Sequence, residues 1–180
     1  MTQAERLRRV VRLCRSFAWN LSYFREGQKS QYEWLFDGQN PVCNFWNVTR
    51  NNFLDMCILE WCKLFGKPRE LHHWKKIVAE PKSFEAELLA HVGVDESRFQ
   101  EHILKTRDYR DKFIAHLDSD STMMIPMLDI HKKAASFYHA KMLRDDRGDF
   151  LGLEGDLESL YEEFELEAAQ VYERALGFAV

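Results

Sequence analysis

The stretch Phe99-Gln-Glu-His-Ile-Leu-Lys-Thr-Arg-Asp-Tyr-Arg110-Asp-Lys-Phe-Ile-Ala-His116-Leu-Asp118 decides how this chain folds. Wound on a helix at about 100° per residue, Phe99, Ile103, Thr106, Phe113, Ile114 and Leu117 fall along one stripe. That spacing predicts an amphipathic α-helix laid against a core. Arg110 sits near the middle of the stripe. A guanidinium stripped of water costs several kcal/mol unless it is paired, so Arg110 is expected to meet a carboxylate or to line a polar pocket or interface. His116 follows where the helix gives way to the polar run Asp118-Ser119-Asp120-Ser121.

The neighbouring segments read as helices too. Asp95 is placed to cap the central helix, with Glu96 at its electropositive end. Before it, Pro81 precedes a short helix with Ser83 as N-cap and Gly93 just past its end. A first helix is expected from about Gln3 to Arg25, with Leu7, Val10, Cys14, Phe17, Leu21 and Phe24 on one face and Arg8, Arg9, Arg12 and Arg15 on the other. A second runs from about Asn44 to Phe65 and is apolar nearly all round in its later half, which places that half at the centre of a bundle or at a subunit interface. Between them the knot Tyr32-Glu33-Trp34-Leu35-Phe36 is either a packed loop or a short extra helix.

After the Ser/Asp linker, a helix from Asp129 to about Asp146 turns Ile130, Ala134, Phe137, Tyr138 and Met142 inward. A final acidic helix carries the inner stripe Leu157, Leu160, Tyr161, Phe164, Ala168, Val171 and Ala175. Helices joined by short connectors describe an all-α bundle of about six helices, a single domain over residues 1–180.

Composition agrees. With 46% hydrophobic residues, 13 Phe and 5 Trp, the 180 residues can build one sizeable core. Charged residues make up 30% and no long apolar run occurs, which argues against membrane spans and against disorder. The arginine-rich start lacks the apolar run and cleavage site of a secretory signal, so a cytoplasmic setting without membrane attachment is expected. The net charge of −4 disfavours a protein held on nucleic acid by charge alone. Its distribution is uneven: Arg6, Arg8, Arg9, Arg12 and Arg15 at the start, eight acidic residues between Glu154 and Glu173 at the end. These are read first as solvated faces that can pair with each other, second as a basic lip for RNA.

Cys14, Cys43, Cys57 and Cys62 form no Cys-x-x-Cys pair, so Cys57 and Cys62 are read as small core residues, and neither a zinc site nor a cofactor is expected. His131 and His139 lie within about 80° on their helix and could join His72 in a three-histidine metal site. Surface histidines are the simpler reading. The tryptophans and Met123, Met124 and Met127 are read as core, with some of them at a dimer seam. Gly-rich phosphate loops, serine elbows and Cys/His catalytic signatures are missing.

Arg110, Asp111 and His116, with Lys112-Phe113-Ile114-Ala115 between, resemble the signature of the HEPN superfamily: an Arg, a polar residue, then a His after four to six positions. The run Arg-Asp-Lys-Phe-Ile-Ala-His-Leu-Asp is most similar to the abortive-infection branch of bacterial HEPN proteins. The resemblance implies metal-independent RNA cleavage through the ribose 2′-OH, as part of a toxin, stress or phage-defence system, with an antitoxin partner expected. In it His116 would move the proton, Arg110 would hold the scissile phosphate and Asp111 would orient one of the two. On a straight helix Arg110 and His116 stand about 120° and roughly 9 Å apart, so one copy presents them poorly to a single phosphate. Either the helix loosens near His116 or a homodimer supplies a second pair. The alternative from another class is a non-catalytic nucleotide- or protein-binding module on the same bundle.

Overall fold

The computed structural model describes residues 2–115, 124–145, 147–150, 152–153 and 155–178. Among them every regular element is a helix. Helix α1 (Gln3–Glu26) is the hub, touching α2 (Pro41–Trp61), α6 (Leu128–Leu143) and α7 (Leu157–Phe178). Its start is fixed by a capping box: Thr2 Oγ1 accepts from the Glu5 amide, and the Glu5 carboxylate accepts from the Thr2 amide at 2.7 Å. Leu7, Val10, Val11, Cys14, Phe17 and Ala18 are completely buried on its inner side.

Helix α2 starts three residues earlier than its apolar pattern suggests, because Asn40 caps it through the Cys43 amide and Pro41 supplies the fixed φ that suits a first turn. Its later half is core, with Leu54, Cys57, Ile58 and Trp61 buried, while Val42, Phe45 and Val48 of its first half are exposed. The helix does not end at Phe65 as α-helix. From Cys62 to Gly66 it widens into a π-wound turn. Then come α3 (Trp74–Ile77), α4 (Pro81–Val92) and α5 (Glu96–Tyr109), and α5 in turn passes into a second π-wound segment, Arg110–Ala115.

Two capping expectations hold and one does not. Asp95 accepts from the Arg98 amide, and Gly93 closes α4 in the left-handed region, at φ 79°, where a side chain would be strained. Ser83, however, lies inside α4, which begins at Pro81. Its hydroxyl donates to Glu87 instead.

The knot after α1 is a short 3₁₀ helix, Ser30–Leu35, whose Tyr32 and Leu35 are buried with Tyr23, Ala168 and Tyr172 in a satellite cluster. This cluster corrects the reading of α7: Tyr172 is completely buried and Val171 faces outward. The aromatic ring wins the inward position because it has partners there, lying 5.2 Å from Tyr32 and 5.3 Å from Trp46 between centroids. Its hydroxyl donates to the Tyr23 carbonyl at 3.2 Å. Gly27, at the end of α1, leaves room for it, since a Cβ there would lie 2.5 Å from the Tyr172 hydroxyl. Gly27→Ala is therefore expected to lower stability by about 1–3 kcal/mol through overpacking, read as a reduced urea midpoint, and Tyr172→Phe in the same chain should recover part of the loss.

The tryptophans and methionines are only partly core. Trp61 and Trp74 are buried, but Trp34, Met124 and Met127 are exposed, and Met123 lies outside the described residues. All four cysteines are buried and free, as small core residues. No described helix is long and apolar enough to cross a membrane. Where α1 meets α7, Glu167 accepts from Trp19 and Tyr23.

Candidate active site

Helix α5 carries two different faces, and the residues of interest divide between them. The buried stripe is Phe99, His102, Ile103, Thr106 and Tyr109, an α-helical succession. Arg110 opens the π-wound segment at the edge of that stripe. Its side chain is 14% exposed, against 46% for Asp111. The two are joined: Arg110 Nε donates to Asp111 Oδ1 at 2.8 Å and a terminal nitrogen donates to the same oxygen at 2.6 Å. The partner of Arg110 is thus its own sequence neighbour, and the second carboxylate oxygen stays available. Burial works to raise the Asp111 carboxyl, but the Arg110 hydrogen bonds and charge outweigh it and hold the group below the usual carboxylate range.

Behind the pair lies the π-wound turn of α2. The Cys62 thiol faces Arg110, and burial pushes it up to about 11, so it remains a neutral thiol and leaves the positive charge to Asp111. Two π-wound turns therefore meet where Arg110 sits. Such turns are rare and recur at functional sites because the wider winding re-aims side chains. Of the two expectations, a helix loosened near His116 or a second copy, the first concerns a region that is π-wound as far as Ala115. His116 itself lies outside the described residues, as do Leu117 and the Ser/Asp run.

Tyr109 and Lys112 face the other way, into a cleft of about 860 Å³ between α5 and the Met124–Ile130 segment. Arg110 does not line it. At its floor is a cluster that sequence reading did not assemble: His102 Nε2 is 3.0 Å from His131 Nδ1, and His131 Nε2 is 2.9 Å from Thr106 Oγ1. The available signal was the spacing of His102 and Thr106, four apart on the stripe; that His131 joins them from α6 depends on packing. His131 and His139 are both completely buried, which corrects the reading of surface histidines. Their burial follows from packing: the His131 ring lies 4.3 Å from that of Trp61. They do not join His72 in a metal site, and no group of three His, Cys, Asp or Glu side chains among the described residues could hold a metal ion.

A separate groove of about 500 Å³ lies between α1, the end of α2 and the loop before α3. Arg9, Arg12 and Lys63 stand on it beside Glu60 and His72. The basic face of α1 thus borders a concave surface.

The buried histidines set an acid limit. Burial lowers His73, His102 and His139 to about 4, and holds His131 well below its ordinary value. Unfolded, each titrates near pH 6.5, so between pH 6.5 and 4 the unfolded chain binds more protons than the folded one. The stability they confer is present above about pH 6.5 and is lost as pH falls through that window. The melting temperature is expected to drop steeply from pH 6.5 to 4, and His139→Phe, which removes two buried ring nitrogens without partners, should flatten the drop.

Among known families, the HEPN family model described as AbiU2 matches residues 4–122, a span that includes Arg110, Asp111 and His116. Searches of curated proteins and of solved structures return no match. The match covers about two-thirds of the chain and ends before α6, and with the all-helical fold it establishes that this protein belongs to the AbiU2 family of HEPN proteins.

Proposed function

We propose that this protein is a metal-independent endoribonuclease of a bacterial phage-defence, stress or toxin system, working as a homodimer. The observation that carries the reading is the Arg110–Asp111 pair at the meeting of two π-wound turns, inside the segment matched by the family. Asp111 holds the guanidinium by one edge and leaves other N–H groups for the scissile phosphate. As charge builds on the phosphate oxygens, Arg110 stabilises it. His116 takes the proton of the ribose 2′-OH and returns one to the leaving oxygen. A second copy brings its own pair alongside, because a straight helix would set positions 110 and 116 about 120° apart. The groove of Arg9, Arg12 and Lys63 offers phosphates along the strand a cationic wall despite the net charge of −4. An antitoxin would act by covering this surface.

The test is cleavage of a mixed RNA pool by purified protein in EDTA, beside His116→Ala. Cleavage that survives the chelator and is lost in the variant is expected. Cleavage abolished by EDTA, or equal in both proteins, overturns the assignment.

One observation favours a second reading, a non-catalytic nucleotide- or protein-binding module. Arg110 is already matched by a carboxylate of its own chain, so the pair can act as a fixed recognition element. That reading predicts a thermal shift with nucleotides and no RNA turnover.

A further inference from the structure

The groove between α1 and the end of α2 holds a buried carboxyl group that the fold satisfies only by half. Arg9, Arg12, Leu13 and Ser16 line it from one face of α1, and Glu60 and Lys63 from α2 and its π-wound turn. Glu60 is only 6% exposed. Its Oε1 accepts from the Ser16 hydroxyl at 2.7 Å, while Oε2 is buried without a hydrogen-bond partner among the described residues. Lys63, whose charge reaches this carboxyl, stands exposed at the rim and forms no salt bridge with it. A buried carboxylate oxygen left bare is costly, so a donor brought to it from outside binds with a large return.

Helical spacing orders the charges along the groove. Ser16, which holds Glu60, lies about 6 Å along the α1 axis from Arg12 and about 10 Å from Arg9. One end is therefore negative and buried, the other positive and exposed. Arg8, on the neighbouring face, leans to Asp149 at 3.8 Å, but Arg9 and Arg12 form no salt bridge among the described residues. Leu13 and the exposed Leu71 supply the apolar lining. His72 Nε2 is also buried without a partner; burial and the charges of Arg9 and Lys63 hold its ring below the ordinary value, so at pH 7 it adds no charge. Glu70 beside it adds a second negative charge. A purely anionic ligand is repelled by Glu60 at the floor, and a purely cationic one by Arg9, Arg12 and Lys63 at the rim.

We propose that this groove binds a free α-amino acid with an apolar side chain. Its ammonium donates to Glu60 Oε2, its carboxylate meets Arg12 and Arg9, and its side chain lies on Leu13 and Leu71. The long arginine side chains span the distance left between the two ends. A volume of about 500 Å³ holds such a ligand with room to spare. The site lies away from the Arg110–Asp111 pair and stands whether or not the protein cleaves RNA. A strand crossing the rim and the carboxylate of the amino acid would compete for Arg9 and Arg12.

The experiment is methyl NMR of the full chain labelled with ¹³C-methyl leucine, at pH 7, with L-phenylalanine and L-methionine as probes. Both are expected to move the Leu13 and Leu71 methyls in a saturable way, and no move with either overturns the proposal. N-acetylphenylalanine lacks the ammonium and phenylalaninamide lacks the carboxylate, so each should bind about tenfold or more weakly than phenylalanine. Equal binding by either one overturns the assignment, as does a move with inorganic phosphate but not with the amino acids. Glu60→Gln keeps the acceptor for Ser16 and the shape of the side chain but loses the charge, and should weaken phenylalanine by a similar factor. Arg12→Gln, at the exposed rim where folding is not at stake, should weaken it too and decides the matter if Glu60→Gln does not fold. Unchanged affinity in Arg12→Gln and in a folded Glu60→Gln overturns the proposal.

Discussion

Replacing Arg110 by alanine is expected to slow RNA cleavage by roughly 100- to 1000-fold, the usual loss when a charged donor aimed at developing negative charge is removed. The loss should fall mainly on kcat, because phosphates elsewhere on the strand still meet Arg9, Arg12 and Lys63. Stability should change little. Asp111 is half exposed, so its freed carboxylate is solvated at once, and a partly exposed pair contributes only about 1 kcal/mol or less. Asp111→Asn tests the same geometry from the other side. Its amide can accept from Arg110 through oxygen but carries no charge, so a smaller fall of about tenfold is expected. A melting temperature within a few degrees of wild type, together with steady-state rates on one RNA substrate, checks both variants. Equal loss of cleavage and of fold in Arg110→Ala would mean that the pair is structural.

Trp61→Ala should have the largest effect on stability, about 3–5 kcal/mol, read as a shift of the urea midpoint at constant slope. Trp61 is completely buried where α2 passes into its π-wound turn. Its ring stacks on Phe65 at 4.9 Å, lies 4.3 Å from His131 and meets Phe99 edge-on at 6.4 Å. Truncation would leave a void among three elements that cannot close together. Trp61→Phe should cost far less, about 1–2 kcal/mol, for a reason specific to this site: the indole Nε1 is buried without a hydrogen-bond partner, so losing it removes a penalty along with the contacts. A Phe variant as damaging as the Ala variant would show that ring area, not the void, is decisive.

Several elements were legible from pattern alone. The three-and-four spacing of Leu7, Val10, Cys14, Phe17 and Leu21 locates α1 to within a residue at its end, and the Asp95 cap and Gly93 stop bracket the junction of α4 and α5. These features are local: periodicity and capping act within one turn, so the residues that cause them are adjacent in sequence. Ser83 misled because Pro81 outcompetes it, a helix start being as well served by a fixed φ as by a capping hydroxyl. Val171 misled because a stripe on α7 admits either of two neighbours at its edge, and the choice fell to Tyr172, whose ring finds Tyr32 and Trp46.

The sequence by itself determined an all-helical chain and the stretch Arg110-Asp111 to His116 that ties it to a HEPN family, since both are short-range patterns. Only the tertiary structure decided the rest. It paired Arg110 with Asp111 beside Cys62, turned Arg110 away from the cleft beside α5, and buried His131 against Trp61 within reach of His102 and Thr106. Those outcomes depend on which helix faces which and on two turns widened from α to π winding. Both are settled by contacts between residues tens of positions apart, where a one-residue change in winding rotates a side chain from one face to the next.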